Sequence, residues 1–321
     1  MVFTVGVIGA GAMGTAVAQT VAPNAKVLLY GRRVDLCSKI NYLRQNTDYF
    51  PNVTLHDNIT AINDMDYLSD ADIIFLCIPS SVMRETIELL NDIVSEDCIF
   101  VSTAKGIEKD SNKRMTTVIE EVTNRSPVAF SGPNIAAEMV NNLTAATTIA
   151  CENTEYLGIV ENILRTNTFK VNANTDVIGT EFCGIIKNIL AISQGICEGM
   201  SINDNAKFAI FTKGFNETKD IIEKFGGNRD TVDDYCGFGD IVTASTLNVS
   251  RNHTLGVLYG QGIVIDEKAS GVLFEGKNTV VILHDLCEKY GIDSLTVNFV
   301  YDVIINGKNP KSAFNEFWEN L

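Results

Sequence analysis

Lys187 is the residue most out of place in this chain. It is the single charged member of the sixteen-residue stretch F-C-G-I-I-K-N-I-L-A-I-S-Q-G-I-C at 182–197. A helix this apolar is buried on most of its faces, and taking an ammonium out of water is costly, so the amine must lower its pKa or acquire carboxylate and amide partners. An amine so placed exchanges a proton with an alcohol or carbonyl oxygen, and the adjacent Asn188 offers an orienting amide. The competing reading is a lysine snorkelling at a helix rim. Three further features converge on the same chemistry. Lys105, in Thr103-Ala-Lys-Gly-Ile-Glu108, follows a strand end and brings a second cation. Asp240, in Gly237-Phe-Gly-Asp-Ile241, reads equally as the anchor of an ammonium or as a helix N-cap. Ser250-Arg251-Asn252 sets a hydroxyl, a guanidinium and an amide at a helix start, which suits a phosphate and suits a plain cap as well.

These groups need a partner to react with, and the N-terminus supplies the place for one. An apolar run at 2–8 meets Gly9, Gly11 and Gly14, an Ala/Val-rich helix follows at 15–22, and a second strand at 26–30 completes a βαβ unit. In that context Gly9 allows a tight turn, Gly11 lets backbone N–H groups approach a pyrophosphate, and Gly14 permits close helix packing, so a dinucleotide pocket is expected. After Tyr30 the chain reads Gly31-Arg32-Arg33, where an NAD-selective fold usually carries an acid. Two guanidiniums suit a 2′-phosphate, which favours NADP(H) and leaves NAD(H) open.

Apolar runs at 2–8, 27–30, 73–78, 98–102, 128–130, 147–150 and 169–171 alternate with helical intervals, as a parallel sheet with crossover helices demands. Pro79-Ser80-Ser81, Lys105-Gly106 and Ser131-Gly132-Pro133-Asn134 follow strand ends and should border the binding crevice. Beyond Thr175 helical spacing takes over, with loops expected at 228–234 and 260–271. The fold expected is α/β, a Rossmann-type doubly wound sheet over 1–175 followed by an all-helical substrate-binding and catalytic domain over 176–321.

Composition narrows the function classes. The 321 residues carry a net charge of −15, with 45% apolar and 20% charged residues. That balance, with no dense basic cluster, argues against nucleic-acid binding. With no apolar span of about 18 residues and no signal segment ahead of the first strand, a cytoplasmic protein is expected. The eight cysteines are scattered, with no C-x-x-C pair, and read as reduced packing residues. With only three histidines, His56, His253 and His284, a histidine-rich metal site is not expected.

Taken in order, the motifs resemble those of the bacterial-type NAD(P)-dependent glycerol-3-phosphate dehydrogenases over essentially the whole chain. They are Gly9-Ala-Gly-Ala-Met-Gly14, Lys105-Gly-Ile-Glu108, Ser131-Gly-Pro-Asn-Ile-Ala-Ala-Glu138, Cys183-Gly-Ile-Ile-Lys-Asn188, Asn203-Asp-Asn205, Gly237-Phe-Gly-Asp240, Ser250-Arg-Asn252 and Glu275-Gly276. The resemblance implies reversible reduction of dihydroxyacetone phosphate to sn-glycerol 3-phosphate, feeding glycerophospholipid synthesis, in a homodimer. It implies Lys187 as proton donor and acceptor, with Lys105, Asp240 and Asn188 organising the reacting centre. Substrate would be held by Lys105, Gly132, Asn134, Asp240, Ser250, Arg251 and Asn252. Cofactor would touch Gly9, Gly11, Ala12, Met13, Gly14, Arg32, Arg33, Lys105, Ala136, Arg251, Leu273 and Glu275.

Four positions depart from that pattern. Ala12 and Met13 stand where serine and tryptophan are common, Asn134 where serine is usual, and Ala244 where a threonine commonly follows the aspartate. None removes a group needed for proton transfer. Two other readings stay open: a dehydrogenase of similar build acting on a ketopantoate-like or 3-hydroxyacyl substrate, and a nicotinamide-sensing protein without turnover. The second leaves a lysine and an asparagine inside an uncharged helix without a role.

Overall fold

The computed structural model describes residues 2–247, 250–265 and 275–321. The chain divides into two compact units, one of Met1–Glu108 with Lys113–Val177 and one of Lys109–Asn112 with Ile178–Leu321.

The first unit is built on one eight-stranded sheet. Its strands are β1 (Phe3–Ile8), β2 (Ala25–Tyr30), β3 (Ile59–Ile62), β4 (Ile73–Leu76), β5 (Ile99–Ser102), β6 (Val128–Ser131), β7 (Ala145–Ala150) and β8 (Phe169–Asn174), in the spatial order β3-β2-β1-β4-β5-β6-β7-β8. The order reverses between β1 and β4, the switch point at which ligands of doubly wound sheets bind. Val5 and Val7 of β1 are wholly buried, as are Ile73–Leu76, because helices cover both faces. Helices α1 (Ala12–Val21), α2 (Val34–Leu43), α3 (Met83–Asn91), α4 (Met115–Thr123), α5 (Ala136–Val140) and α6 (Thr154–Leu164) fill the connections. One core unites Val5, Val7, Val17, Leu29 and Phe75 on one face, and a second unites Ile74, Leu76, Phe100 and Met115 on the other.

Two features differ from the sequence reading. Strand β3 was not expected; it is four residues long and pairs with Val27 to Tyr30. And β7 runs antiparallel to β6, against the all-parallel expectation. A parallel return needs a crossover packed on the sheet, whereas the link between them holds only the five-residue α5, which packs on α1 instead. The long α6 then restores the parallel sense between β7 and β8.

The second unit has no strand among its described residues. Its helices are α7 (Val177–Gly199), α8 (Asp204–Lys224), α9 (Asp240–Thr246), α10 (Arg251–Gly260), α11 (Glu275–Tyr290), α12 (Leu295–Ile304) and α13 (Pro310–Glu319). The expected loop at 228–234 contains a short 3₁₀ turn over Arg229–Asp233. Of the expected loop at 260–271, the part beyond 265 lies outside the described residues. Helix α7 is buried at every position from 179 to 197 except Lys187. Packing against it is close: a Cβ at Gly195 would stand 2.1 Å from the His253 carbonyl oxygen, and one at Gly256 2.2 Å from that of Ile192, so α7 and α10 touch backbone to backbone. Among the described residues no helix is long and apolar enough to cross a membrane.

Candidate active site

The glycine turn folds as its residue types require. Gly9 sits at φ +109°, where an L side chain is strained. Its N–H donates to the Tyr30 carbonyl (3.0 Å), tying the end of β1 to β2. A Cβ at Gly14 would stand 1.8 Å from the Gly9 carbonyl oxygen, so α1 begins pressed against the turn. Gly11 is the N-cap of α1 and, lacking a side chain, leaves the first-turn N–H groups without a side-chain acceptor; no acid lies in that turn. Those N–H groups favour an anion. Above them lies a groove of about 550 Å³, lined among others by Gly9, Gly11, Arg32, Arg33, Tyr49 and Pro79. Its size and its basic rim fit a dinucleotide. Arg33 is ion-paired with Asp48, while Arg32 is exposed. Ala12 and Met13 open α1, Met13 packing partly against the core. Cys77 also lines the groove, but burial pushes its thiol up to about 12, against a lowering hydrogen bond from Thr103, so it supplies no thiolate.

A second polar corner lies past β5 and β6 in the same unit. The Lys105 ammonium donates to the Gly132 carbonyl (2.9 Å). The glycine is needed, because a Cβ there would meet the Thr147 hydroxyl at 2.9 Å. Thr147 organises the corner: its hydroxyl donates to the Ser131 carbonyl (3.1 Å) and accepts from the Asn134 amide (3.0 Å). The Ser131 hydroxyl and the Asn134 Oδ1 are buried without a hydrogen-bond partner. Buried polar atoms left so invite a polar ligand. Ala136 starts α5.

In the second unit, Lys187 has the carboxylate partner its setting demands. Its Nζ donates to Asp240 Oδ1 at 2.7 Å, with the lysine side chain 15% and the aspartate 4% exposed. The cap of α9 is Gly239, and Asp240 is the first helical residue, so the anchoring geometry replaces the capping one. Asp240 reaches this place through a π-helical turn over Tyr235–Gly239, whose Gly237 lies so close to Val232 that a Cβ would stand 2.0 Å from its carbonyl oxygen. One residue along α7, the Asn188 Oδ1 accepts from Asn252 Nδ2 at 2.9 Å. Asn252 follows the exposed Arg251 at the start of α10, where Ser250 is the N-cap and accepts from the His253 N–H. The cap and phosphate readings of this triplet are thus compatible, since the cap leaves Arg251 outward. Behind it His253 is buried and faces Glu198 at 3.3 Å; burial holds its pKa below the usual imidazole value, Lys207 adds to this and Glu198 opposes it.

The sequence-selected residues therefore form three groups: the glycine turn with Arg32 and Arg33, the Lys105–Gly132–Asn134 corner, and the Lys187–Asp240 pair joined through Asn188 to Asn252. Leu273 lies outside the described residues, and Glu275 is described only as the start of α11. Ala244 is buried in α9. Thr147 and Tyr49 escaped the sequence reading. Thr147 sits in an ordinary β-branched strand, and Tyr49 in a stretch with no periodic signal.

Comparison with known proteins identifies the family. Residues 4–157 match the family model described as NAD-dependent glycerol-3-phosphate dehydrogenase N-terminus, and residues 176–315 match that of its C-terminus. A glycerol-3-phosphate dehydrogenase [NAD(P)+] from Halothermothrix orenii is 35% identical over 318 residues, covering 97% of this chain and 93% of the relative. The crystal structure of a glycerol-3-phosphate dehydrogenase from Coxiella burnetii superposes with a TM-score of 0.92 at 29% identity, covering 99% of each chain. A ketopantoate reductase from Ralstonia eutropha shares the fold alone, at TM-score 0.63 and 13% identity over 98% of this chain and 100% of that one. This chain belongs to the NAD(P)-dependent glycerol-3-phosphate dehydrogenase family.

Proposed function

We propose that the chain reversibly reduces dihydroxyacetone phosphate to sn-glycerol 3-phosphate with NAD(P)H, supplying glycerophospholipid synthesis. The observation that carries this reading is the ion pair of Lys187 with the buried Asp240, next along α7 to Asn188, which bonds Asn252 at the start of α10. The bound nicotinamide supplies the hydride. Lys187 protonates the developing alkoxide oxygen and accepts the alcohol proton in the reverse direction, while Asp240 holds the amine in place. Lys105, its ammonium fixed on the Gly132 carbonyl, stabilises charge on the reacting oxygen. Arg251 binds the substrate phosphate through charge-assisted hydrogen bonds, with Ser250, Asn252, Gly132 and Asn134 completing the substrate contacts; binding the non-reacting phosphate orients the ketone.

The first unit is the dinucleotide-binding domain and the second the catalytic one. Gly9, Gly11, Ala12, Met13 and Gly14 hold the diphosphate, and the adjacent Arg32 and Arg33 favour NADP(H). Ala136, Arg251, Leu273 and Glu275 join the cofactor contacts. The protein works in the cytoplasm as a homodimer.

An absorbance assay at 340 nm tests the reading. With dihydroxyacetone phosphate and NADPH or NADH, oxidation of the reduced cofactor is expected, and Arg251→Ala should raise the KM for dihydroxyacetone phosphate by about tenfold or more. Turnover with ketopantoate and none with dihydroxyacetone phosphate, or an unchanged KM in the variant, would overturn the assignment.

A further inference from the structure

The groove of the first unit has a wall that the glycine fingerprint does not account for. Between α2 and β3 the chain turns back over the glycine turn at 46–50, and one buried amide suspends it. Asn46 is 0% exposed; its Nδ2 donates to the Ala10 carbonyl (3.1 Å) and to the Thr15 hydroxyl (2.8 Å), while its backbone carbonyl accepts from the N–H groups of Tyr49 (3.2 Å) and Phe50 (2.7 Å). Phe50 packs against the hydrophobic core, and Asp48 is ion-paired with Arg33, which also lines the groove. Tyr49 is thereby fixed on both sides.

Its phenol occupies a telling position. A Cβ built on Gly11 would stand 4.0 Å from the Tyr49 hydroxyl oxygen, with no other side chain or backbone beyond its immediate chain neighbours within that distance. The space a side chain would fill at Gly11 is the space a diphosphate enters to meet the first N–H groups of α1, and the Tyr49 hydroxyl borders it. Tyr49 is 51% exposed although its side chain is large and mostly apolar, and it lines the groove. Ala12 and Met13 bring no hydroxyl to this turn.

We infer that Tyr49 is a cofactor-binding residue whose hydroxyl donates to the diphosphate of the bound dinucleotide, across the turn from the α1 N–H groups. The inference rests on the dehydrogenase reading and adds a residue to its binding site. An uncharged donor to the diphosphate serves NADH and NADPH alike, so Tyr49 sets affinity, and the arginines of the rim set preference.

Tyr49→Phe removes the hydroxyl and keeps the half-exposed ring. Fluorescence titration with NADH and NADPH, and calorimetry with ADP-ribose and with adenosine 2′-phosphate, give the readout. The Kd is expected to rise about tenfold for NADH, NADPH and ADP-ribose, as for loss of a hydrogen bond to a charged group, with adenosine 2′-phosphate unaffected. An unchanged Kd for NADH, or a loss confined to NADPH and adenosine 2′-phosphate, would overturn the inference. Failure of the unmodified protein to bind either dinucleotide would overturn the dehydrogenase reading beneath it, a result separable from the other two.

Discussion

At the start of α1 in the first unit one glycine keeps space open, and between α7 and α10 in the second unit four glycines close it. Gly11 clears room over the start of α1, so that backbone N–H groups face a groove, while Gly9 beside it is closed, with the Cys77 carbonyl oxygen 2.6 Å from where its Cβ would be. Gly195 and Gly199 on α7 meet Gly256 and Gly260 on α10 with carbonyl oxygens 2.1–2.3 Å from where their Cβ atoms would be, leaving no room at all. The open glycine leaves backbone N–H groups facing a groove whose rim carries Arg32 and Arg33. The closed ones set the register of two helices so that Asn188 reaches Asn252, one residue along α7 from the Lys187–Asp240 ion pair to which we assign the proton transfer. Binding by backbone is tolerant of neighbouring residues. Proton transfer by a paired amine is not.

That contrast is open to attack from either side. Asp240→Asn should lower kcat by about 10²–10⁴ and leave the NADPH Kd within about twofold, measured by the 340 nm assay and by fluorescence titration; equal losses in both would erase the division of labour. Gly14→Val should weaken NADPH binding by about a hundredfold, because its side chain collides with the Gly9 carbonyl 1.8 Å from the Cβ position. Arg32→Ala should weaken NADPH by about tenfold more than NADH, from the ratio of the two Kd values; equal effects would remove the 2′-phosphate from its role. The smallest effect belongs to His253. Its pKa is held below 6.5, so the unfolded chain binds the proton first as pH falls, and stability present above about pH 6.5 is lost down to the depressed value. His253→Gln should flatten the decline of Tm over that window in a thermal melt, and an unchanged slope would show that other groups control it.

The two units were also unequally legible. Gly9, Gly11 and Gly14 declare themselves because a turn, a close approach and a helix contact each exclude other residues, and Lys187 because a charge in an apolar helix needs a cause. The Asp240 partnership was ambiguous in sequence, since a cap and an anchor look alike there and the two residues are 53 apart. The structure separates them by making Gly239 the cap. The direction of β7 was hidden because it depends on how the 132–144 link packs on α1, and β3 because four residues carry little pattern. Tyr49 and Thr147 gave no signal, for their positions arise from Asn46 and from strand pairing, not from local sequence.

The central claim is that the Lys187 amine moves the proton. Lys187→Ala should reduce kcat for dihydroxyacetone phosphate by about 10³ or more, measured at 340 nm beside an NADPH titration showing that the nucleotide still binds with nearly its original Kd. Near-normal turnover in that variant would contradict the account.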